Sequence, residues 1–242
     1  QNIVEECLPL ASLLEEASSF PSKLEEMFLL QKQLNDSTNG KNWELGVNKF
    51  NKEINWLRCI HMEVAELIDS TPWKHWKNIN SAPDMNNIHV ELVDIWHFLM
   101  SYILQETNVP KAVSLVNTHC IYEAAQNIDV NLIIKESEKL SYIALAIETK
   151  NMPSFSGIER FIEQFFRACK SAGLSFSWLQ KLYIGKNCLN QFRQDNGYKE
   201  GTYKKVWNGN EDNVVMVELL KTIEDVSFDE LYEQLKLKYN QN

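Results

Sequence analysis

The chain has 242 residues, a formal net charge of −9 at pH 7 and a hydrophobic fraction of 44%. A sequence of this length can bury a sizeable core, and eight glycines and six prolines are too few for a turn-rich β-sandwich, so we expect a helical globular protein. The acidic balance argues against a duplex-binding surface and a nucleic-acid partner, because affinity for phosphate backbones comes from clustered Lys and Arg.

The cysteines and the hydropathy pattern fit a cytoplasmic protein. The five cysteines are odd in number and lack C-x-x-C spacing, which predicts neither a disulfide framework nor a structural zinc site. The most hydrophobic stretch, Ile95 to Leu104, is interrupted by His97 and Ser101 and falls short of the roughly 18 apolar residues that a membrane span needs. We therefore expect no membrane anchor.

The N-terminal part of the chain is predicted to form two helices. The first twenty residues are typical of a short helix interrupted near Pro9. A capping-box pattern, Ser22-Lys23-Leu24-Glu25, then begins a helix that runs to about Asn35. Asn39-Gly40 predicts a turn after it.

Helical periodicity next predicts two long helices separated by a loop. One runs from Trp56 to a stop near Ser70-Thr71-Pro72, and the polar, Pro-containing segment from Thr71 to Asp84 has no period. The other spans about Met85 to Gln105. Its core stripe comprises Ile88, Leu92, Ile95, Leu99 and Tyr102 or Ile103. A loop of this length allows the two helices to pack as an antiparallel hairpin.

Each helix of this hairpin has two acids three residues apart, Glu63 with Glu66 and Glu91 with Asp94. Residues at that spacing share a helix face, so the hairpin would gather four negative groups in one place. Two unit charges about 5 Å apart repel by roughly 3 kcal/mol at an effective dielectric near 20, so a cation should lie between them. Oxygen-only ligation favours a hard ion that also holds phosphate, which predicts Mg²⁺ and a nucleotide rather than zinc.

Two residues beside the second acid pair have simpler interpretations. His97, three residues after Asp94, is predicted to be a hydrogen-bonded pocket or core histidine rather than a metal ligand. Trp96 is predicted to belong to the core.

The second half of the chain is predicted to be mostly helical, and its clearest break is a linker-like segment. The segment from Ala112 to Thr149 has an apolar helical pattern that we expect to form core or dimer surface, and Asn151 to Gly157 is typical of a linker. Helices are predicted from Ile158 to about Ala172 and from about Ser177 to Arg193. One or two closing helices are predicted from Val214 to Tyr239.

A basic stretch supplies the positive counterpart of the acids. Lys186, Asn190 and Arg193 share a face of the helix predicted to end at Arg193, and two cations and an amide in a row can bind phosphate oxygens. The Gly-containing basic loop over residues 196–209 is a candidate lid that closes over a polyphosphate and excludes water. A charged clamp and a metal-binding acid cluster are what phosphoryl transfer requires.

With these residues in view, the chain resembles the dimeric dUTPases of the all-α NTP pyrophosphatase superfamily, particularly the form of Campylobacter-like bacteria. The likeness extends from about Leu24 to Asn213 and rests on five blocks in order. They are Leu30–Asp36, Met62–Asp69, Trp73–Lys77, Glu91–Phe98 and Phe192–Lys199. It implies a single all-α domain over residues 1–242, with residues 1–20 as an N-terminal extension and residues 110–156 as a loosely matching lobe.

The resemblance implies a homodimer in which a helical core holds the acidic helix pair and a smaller helical lobe is mobile. It also implies that the protein is a hydrolase converting dUTP, and dUDP, to dUMP by attack on the β-phosphorus, with release of pyrophosphate or phosphate. Such an enzyme lowers dUTP and supplies dUMP for dTTP synthesis. The implied cofactor is Mg²⁺, two or more ions per site, with Mn²⁺ as a substitute.

The resemblance also assigns roles to individual residues. The acids Glu63, Glu66, Glu91 and Asp94 match the catalytic metal ligands, with Glu63 expected to orient or deprotonate the attacking water. Gln31 and Asn35 match the side that recognises uracil, where their amides offer both a donor and an acceptor. The pocket walls match Trp73, His97 and Phe98. Six residues match the family positions that bind phosphates and deoxyribose and order the closing lobe. They are Lys186, Asn190, Arg193, Tyr198, Lys205 and Asn213.

Three other functions fit parts of this pattern. A related all-α pyrophosphatase acting on dCTP or on several dNTPs is the nearest alternative. A di-iron carboxylate bundle uses acid-x-x-His ligation from paired helices, but Asp94 to His97 is the only nearby copy of that motif. A non-catalytic helical interaction protein would show substitutions among the four acids or in the basic row, and the sequence has none.

Overall fold

Nine α-helices and a small β-hairpin make up the regular structure of residues 18–77, 81–224 and 226–241, the part of the chain that the computed structural model describes. A 3-10 helix, Trp43–Leu45, follows the first helix. The helices are α1 (Phe20–Asn39), α2 (Trp56–Asp69), α3 (Met85–Glu106), α4 (Val109–Asn117), α5 (Val130–Glu148), α6 (Ser154–Ser171), α7 (Phe176–Asp195), α8 (Asp212–Thr222) and α9 (Phe228–Asn240). The predicted all-α class is confirmed. The helix predicted near Pro9 lies outside the described residues.

No helix in the described ranges is both long enough and apolar enough to cross a membrane. The core instead forms around α3, which packs against α1, α2, α6 and α7. The predicted α3 stripe is buried, with Ile88, Leu92 and Ile95 fully inaccessible, and Trp96 is equally buried as predicted. This central position explains why α3 is the most uniformly apolar of the long helices.

The α2–α3 pair forms the predicted hairpin. The end of α2 meets the start of α3, where the Asp84 backbone N–H donates to the Ser70 carbonyl at 2.9 Å. Each helix begins with a side-chain cap: Asn55 accepts from the Arg58 N–H at 2.8 Å, and Asp84 accepts from the Asn87 N–H at 3.0 Å. The two helices therefore run in opposite directions with their ends fixed.

Several predicted boundaries were wrong. Helix α1 continues to Asn39 rather than to about Asn35, and residues 118–129 separate α4 from α5 within the segment predicted as helical from Ala112 to Thr149. Helix α1 begins at Phe20 instead of at the predicted capping box, because Pro21 fits the first turn, where no backbone N–H is needed. The Ser22 hydroxyl instead donates to the Ser19 carbonyl at 2.8 Å. The expected linker is partly helical, since α6 begins at Ser154. A Cβ on Gly157 would lie 2.7 Å from the Ile147 side chain, so this glycine permits close helix packing.

We call residues 196–224 and 226–241 the C-terminal lobe. It contains the predicted closing helices, α8 and α9, and a hairpin that was not predicted. Strands β1 (Val206–Trp207) and β2 (Asn210–Glu211) are joined by Asn208 and Gly209, both with positive φ. That pair is the typical turn of a two-residue hairpin, and the basic loop predicted over residues 196–209 does not include a hairpin. The hairpin holds Trp207 in an aromatic cluster with Phe192 and Tyr239, so the predicted lid segment is anchored at this end.

Candidate active site

Three of the four predicted acids converge where α2 packs on α3. Glu63, Glu66 and Glu91 each contribute a carboxylate oxygen to a group in which all of these atoms lie within 4.8 Å of one another. The convergence follows from the three-residue spacing on α2 and from the antiparallel hairpin, as the sequence predicts.

The fourth acid, Asp94, connects this group to the basic row. Its carboxylate lies 2.8 Å from the Lys186 ammonium of α7, which also donates to Asn213 Oδ1 at 3.0 Å. Lys186 is 4% exposed, so the ion pair is largely shielded from water. The acids and the basic row predicted to cooperate are therefore in direct contact.

Burial and the crowding of negative charge raise the pKa of two acids in the cluster. Burial raises the pKa of Glu63 to about 8, helped by the charge of Asp94 and then of the other acids. Burial likewise raises the pKa of Glu91 to about 7, with Asp94 adding to the shift and Lys186 opposing it. A divalent cation would relieve this repulsion, and an all-oxygen donor set suits Mg²⁺ or Mn²⁺. The residues present therefore fit the implied ion.

These raised pKa values predict a pH-dependent stability in the metal-free protein. Unfolding returns Glu63 and Glu91 towards 4.5, so the unfolded chain releases these protons first and stability falls as pH rises towards 8. Burial lowers the pKa of His97 to about 4. This shift makes stability rise with pH, but only below about pH 6.5, where the histidine of the unfolded chain binds a proton.

Between pH 6.5 and 8 we expect the metal-free protein to lose about 1–2 kcal/mol, after allowance for coupling and partial solvent screening. Urea titrations in EDTA at the two pH values measure this loss, and added Mg²⁺ should reverse it. A stability that stays level or increases over this range would contradict the charge crowding.

A cavity of about 290 Å³ adjoins the acids, close to the lower end of the usual range for small-ligand sites. It lies between α1, α3 and α7 at the start of α2, and Asp94 belongs to its wall. The full lining is Gln31, Leu34, Asn35, Thr38, Asn39, Trp56, Asp94, His97, Phe98, Asn190 and Gln194. The structure thus brings together five predicted substrate-binding residues from three separate helices.

Three residues of this lining have a buried polar atom that no group in the described part of the chain satisfies: Trp56 Nε1, His97 Nε2 and Gln194 Oε1. The His97 ring stays neutral, and its Nδ1 donates to Gln31 Oε1 at 2.7 Å, so its Nε2 is an acceptor. An unsatisfied buried polar group costs about 1–3 kcal/mol. A ligand with hydroxyl and carbonyl groups would satisfy such atoms.

Sequence reasoning missed several residues of the site. Trp56, predicted only to begin a helix, lines the cavity, as does Gln194, which lies one turn from Asn190 on the same helix. Asn87 is a third: its amide donates to Glu91 Oε1 at 3.1 Å and to Ser70 Oγ at 2.7 Å. Its place four residues before Glu91 was the available signal.

The remaining basic residues have partners within the lobe. Arg193 makes a bidentate pair with Asp212, with two N···O distances of 2.8 Å, and Asp212 is fully buried. Tyr198 is half-exposed, with the Arg193 guanidinium 5.8 Å from its ring centre. Lys205 is exposed and lies 3.4 Å from Glu211. Asp212 is a further residue that sequence reasoning missed.

Trp73 lies outside the lining of the cavity. Its indole N–H donates to Asp69 Oδ1 at 3.0 Å, and its ring packs edge-on against Trp76 at 5.7 Å. Both rings are exposed. In this structure, Trp73 therefore stabilises the loop that follows α2.

Comparison with known families agrees with this geometry. A family model described as dUTPase matches residues 23–198, which include both acid pairs, the cavity lining and the basic row of α7. No curated protein matches the sequence. The match covers well over half of the chain. The chain therefore belongs to the all-α, dimeric dUTPase family, whose reaction is the hydrolysis of dUTP.

Proposed function

We propose that this dUTP diphosphatase depends on Mg²⁺ held by Glu63, Glu66, Glu91 and Asp94, and that it also hydrolyses dUDP. The most direct support comes from Asp94. Its negative charge helps to raise the pKa of Glu63 in the acid group, and its side chain also lines the cavity. A nucleotide whose base occupied the cavity would have its phosphates beside the carboxylates. Bound divalent ions supply charge neutralisation for the phosphates and polarisation of a water molecule.

In this proposal Glu63 accepts a proton from the attacking water. A carboxylate beside the bound ions can take this proton, and Glu63 lies in the acid group on α2 where those ions would be held. The Lys186 ammonium pairs with Asp94 and would provide positive charge close to the phosphate oxygens of the nucleotide. Asn190 lines the cavity, and the Arg193 guanidinium donates to its Oδ1 at 3.2 Å, which adds a cation beside the cavity wall.

For the base, we propose that the amides of Gln31 and Asn35 recognise uracil. Both side chains line the cavity and both are almost fully buried. Phe98 stacks against Trp56 with ring centres 6.1 Å apart, which provides a flat apolar wall for a nucleoside. The Trp56 indole N–H has no acceptor among the described residues and is a suitable donor for a sugar hydroxyl.

We further infer a cytoplasmic homodimer. Met62 and Tyr142 are exposed and directly follow His61 and Ser141, whose side chains meet at 3.2 Å. Leu145 is exposed one turn further along α5. An apolar area on α2 and α5 supports a subunit contact, and light scattering at micromolar concentration tests it.

The central test is product analysis with the intact protein. We expect dUTP to give dUMP and pyrophosphate with Mg²⁺ or Mn²⁺, no turnover in EDTA, and dUDP to give dUMP and phosphate. In ¹⁸O-water, attack on the β-phosphorus labels pyrophosphate, whereas attack on the α-phosphorus labels dUMP.

Equal turnover of dCTP would contradict the proposed uracil recognition. Turnover of dUTP that persists in EDTA would contradict the metal requirement.

A further inference from the structure

A buried hydroxyl connects the two amides to which we assign uracil recognition. Ser101 Oγ lies 3.0 Å from Gln31 Nε2 and 2.9 Å from Asn35 Nδ2, and 2.8 Å from the His97 carbonyl oxygen. The Ser101 side chain is fully buried. It stands one turn after His97 on α3, behind the cavity wall.

The hydrogen-bonding capacity of a hydroxyl determines how these groups are arranged. A serine hydroxyl has one hydrogen and two lone pairs. The carbonyl of His97 can only accept, so it takes the hydrogen of Ser101. The two lone pairs of Ser101 then accept from the two amides, and all of its capacity is used.

This arrangement fixes which end of each amide faces Ser101. Both Gln31 and Asn35 must present their NH₂ groups to it, because a carbonyl oxygen would meet a lone pair. The oxygen of Gln31 has additional partners, His97 Nδ1 at 2.7 Å and the Tyr183 hydroxyl at 3.1 Å. Within the described part of the chain, the Asn35 side chain makes its hydrogen bond through Nδ2, to Ser101, and its Oδ1 accepts none; Asn35 also lines the cavity.

We propose that Ser101 is a positioning residue that sets base specificity by holding the Asn35 carboxamide with Oδ1 available to the cavity as an acceptor. The proposal rests on uracil recognition by Gln31 and Asn35. The N3 atom of uracil is a donor, whereas N3 of cytosine is an acceptor. An oxygen held towards N3 therefore accepts from uracil and repels cytosine.

Without the hydroxyl, the Asn35 amide can rotate by half a turn and present its NH₂ group to the cavity. The rotated amide would donate to N3 of cytosine, and uracil would lose its acceptor. The structure favours an effect on Asn35 over one on Gln31, because Gln31 retains His97 and Tyr183 as partners. We expect Ser101→Ala to lower the ratio of kcat/KM for dUTP over dCTP by about 10- to 100-fold, the usual effect of one mispaired buried hydrogen bond.

Ser171→Ala is the matched control. Ser171 is also buried, and its hydroxyl donates to the Ala168 carbonyl at 2.8 Å on α6, away from the cavity lining. It should leave the ratio unchanged. Ser101→Thr keeps the hydroxyl and should restore most of the discrimination, even where its extra methyl group lowers stability.

A double-mutant cycle with Asn35→Ala separates positioning from general damage. If Ser101 acts through Asn35, Ser101→Ala should change the dUTP/dCTP ratio little once Asn35 is already Ala. Should Ser101→Ala fail to fold, Ser101→Cys substitutes a weak acceptor and should lower the ratio in the same direction.

The outcomes distinguish this inference from the function on which it rests. A parent enzyme that prefers dUTP and a folded Ser101→Ala variant with a ratio within twofold of the parent would overturn the role of Ser101 alone. A parent enzyme with no preference for dUTP over dCTP would overturn uracil recognition and this inference together.

Discussion

Replacing Glu63 by Gln is expected to lower kcat for dUTP by about 10²- to 10⁴-fold, the usual contribution of a positioned general base. The substitution keeps the size of the side chain and removes both its charge and its proton affinity. Loss of an acid from the cluster should impair turnover more than nucleotide binding, because the cavity and Lys186 remain. Steady-state kinetics with a binding measurement for dUMP separate the two effects.

Stability provides an independent check on the Glu63 variant. Because neighbouring acids and burial disfavour ionised Glu63, the neutral amide should leave the metal-free protein at least as stable at pH 8 as the parent. The matched control is Glu25→Gln on the exposed face of α1, which should change neither property. Retention of more than a tenth of parental kcat in Glu63→Gln would exclude Glu63 as the base.

The second large effect is expected for Asp212→Asn, a loss of about 3–5 kcal/mol in the free energy of unfolding. Asp212 is fully buried and accepts from Arg193 twice and from the Tyr203 hydroxyl at 2.8 Å. An amide cannot accept on both sides, so a partly buried guanidinium would lose a charged partner. KM for dUTP should also rise, because Asn213 follows Asp212 and bonds Lys186.

A urea titration measures the Asp212 effect. Glu211→Gln is the neighbouring control, and it should change stability by less than about 0.5 kcal/mol because Glu211 and Lys205 are both exposed. A loss below about 1 kcal/mol for Asp212→Asn would show that the lobe does not depend on this buried pair.

Predictions from the sequence were correct for features that depend on the spacing of residues within one helix. The two acid pairs were placed on facing helices because a three-residue spacing fixes a shared face whatever the helix packs against. Two of the boundaries that were wrong, at Ser22 and at the segment 151–157, are those where a second local preference competed. Pro21 outweighs the capping box at the start of α1, and close packing against Ile147 explains the glycine at position 157.

The sequence by itself determined the helical class, the α2–α3 hairpin and the placement of both acid pairs on it, since these depend on the period of one helix and on loop length. The tertiary structure decided the contacts of Lys186 with Asp94, of Arg193 with Asp212, and of Ser101 with the two amides of α1. Each joins segments far apart in the chain. Such contacts depend on how the whole core packs, because helical periodicity specifies which residues share a face but not which helix that face will meet.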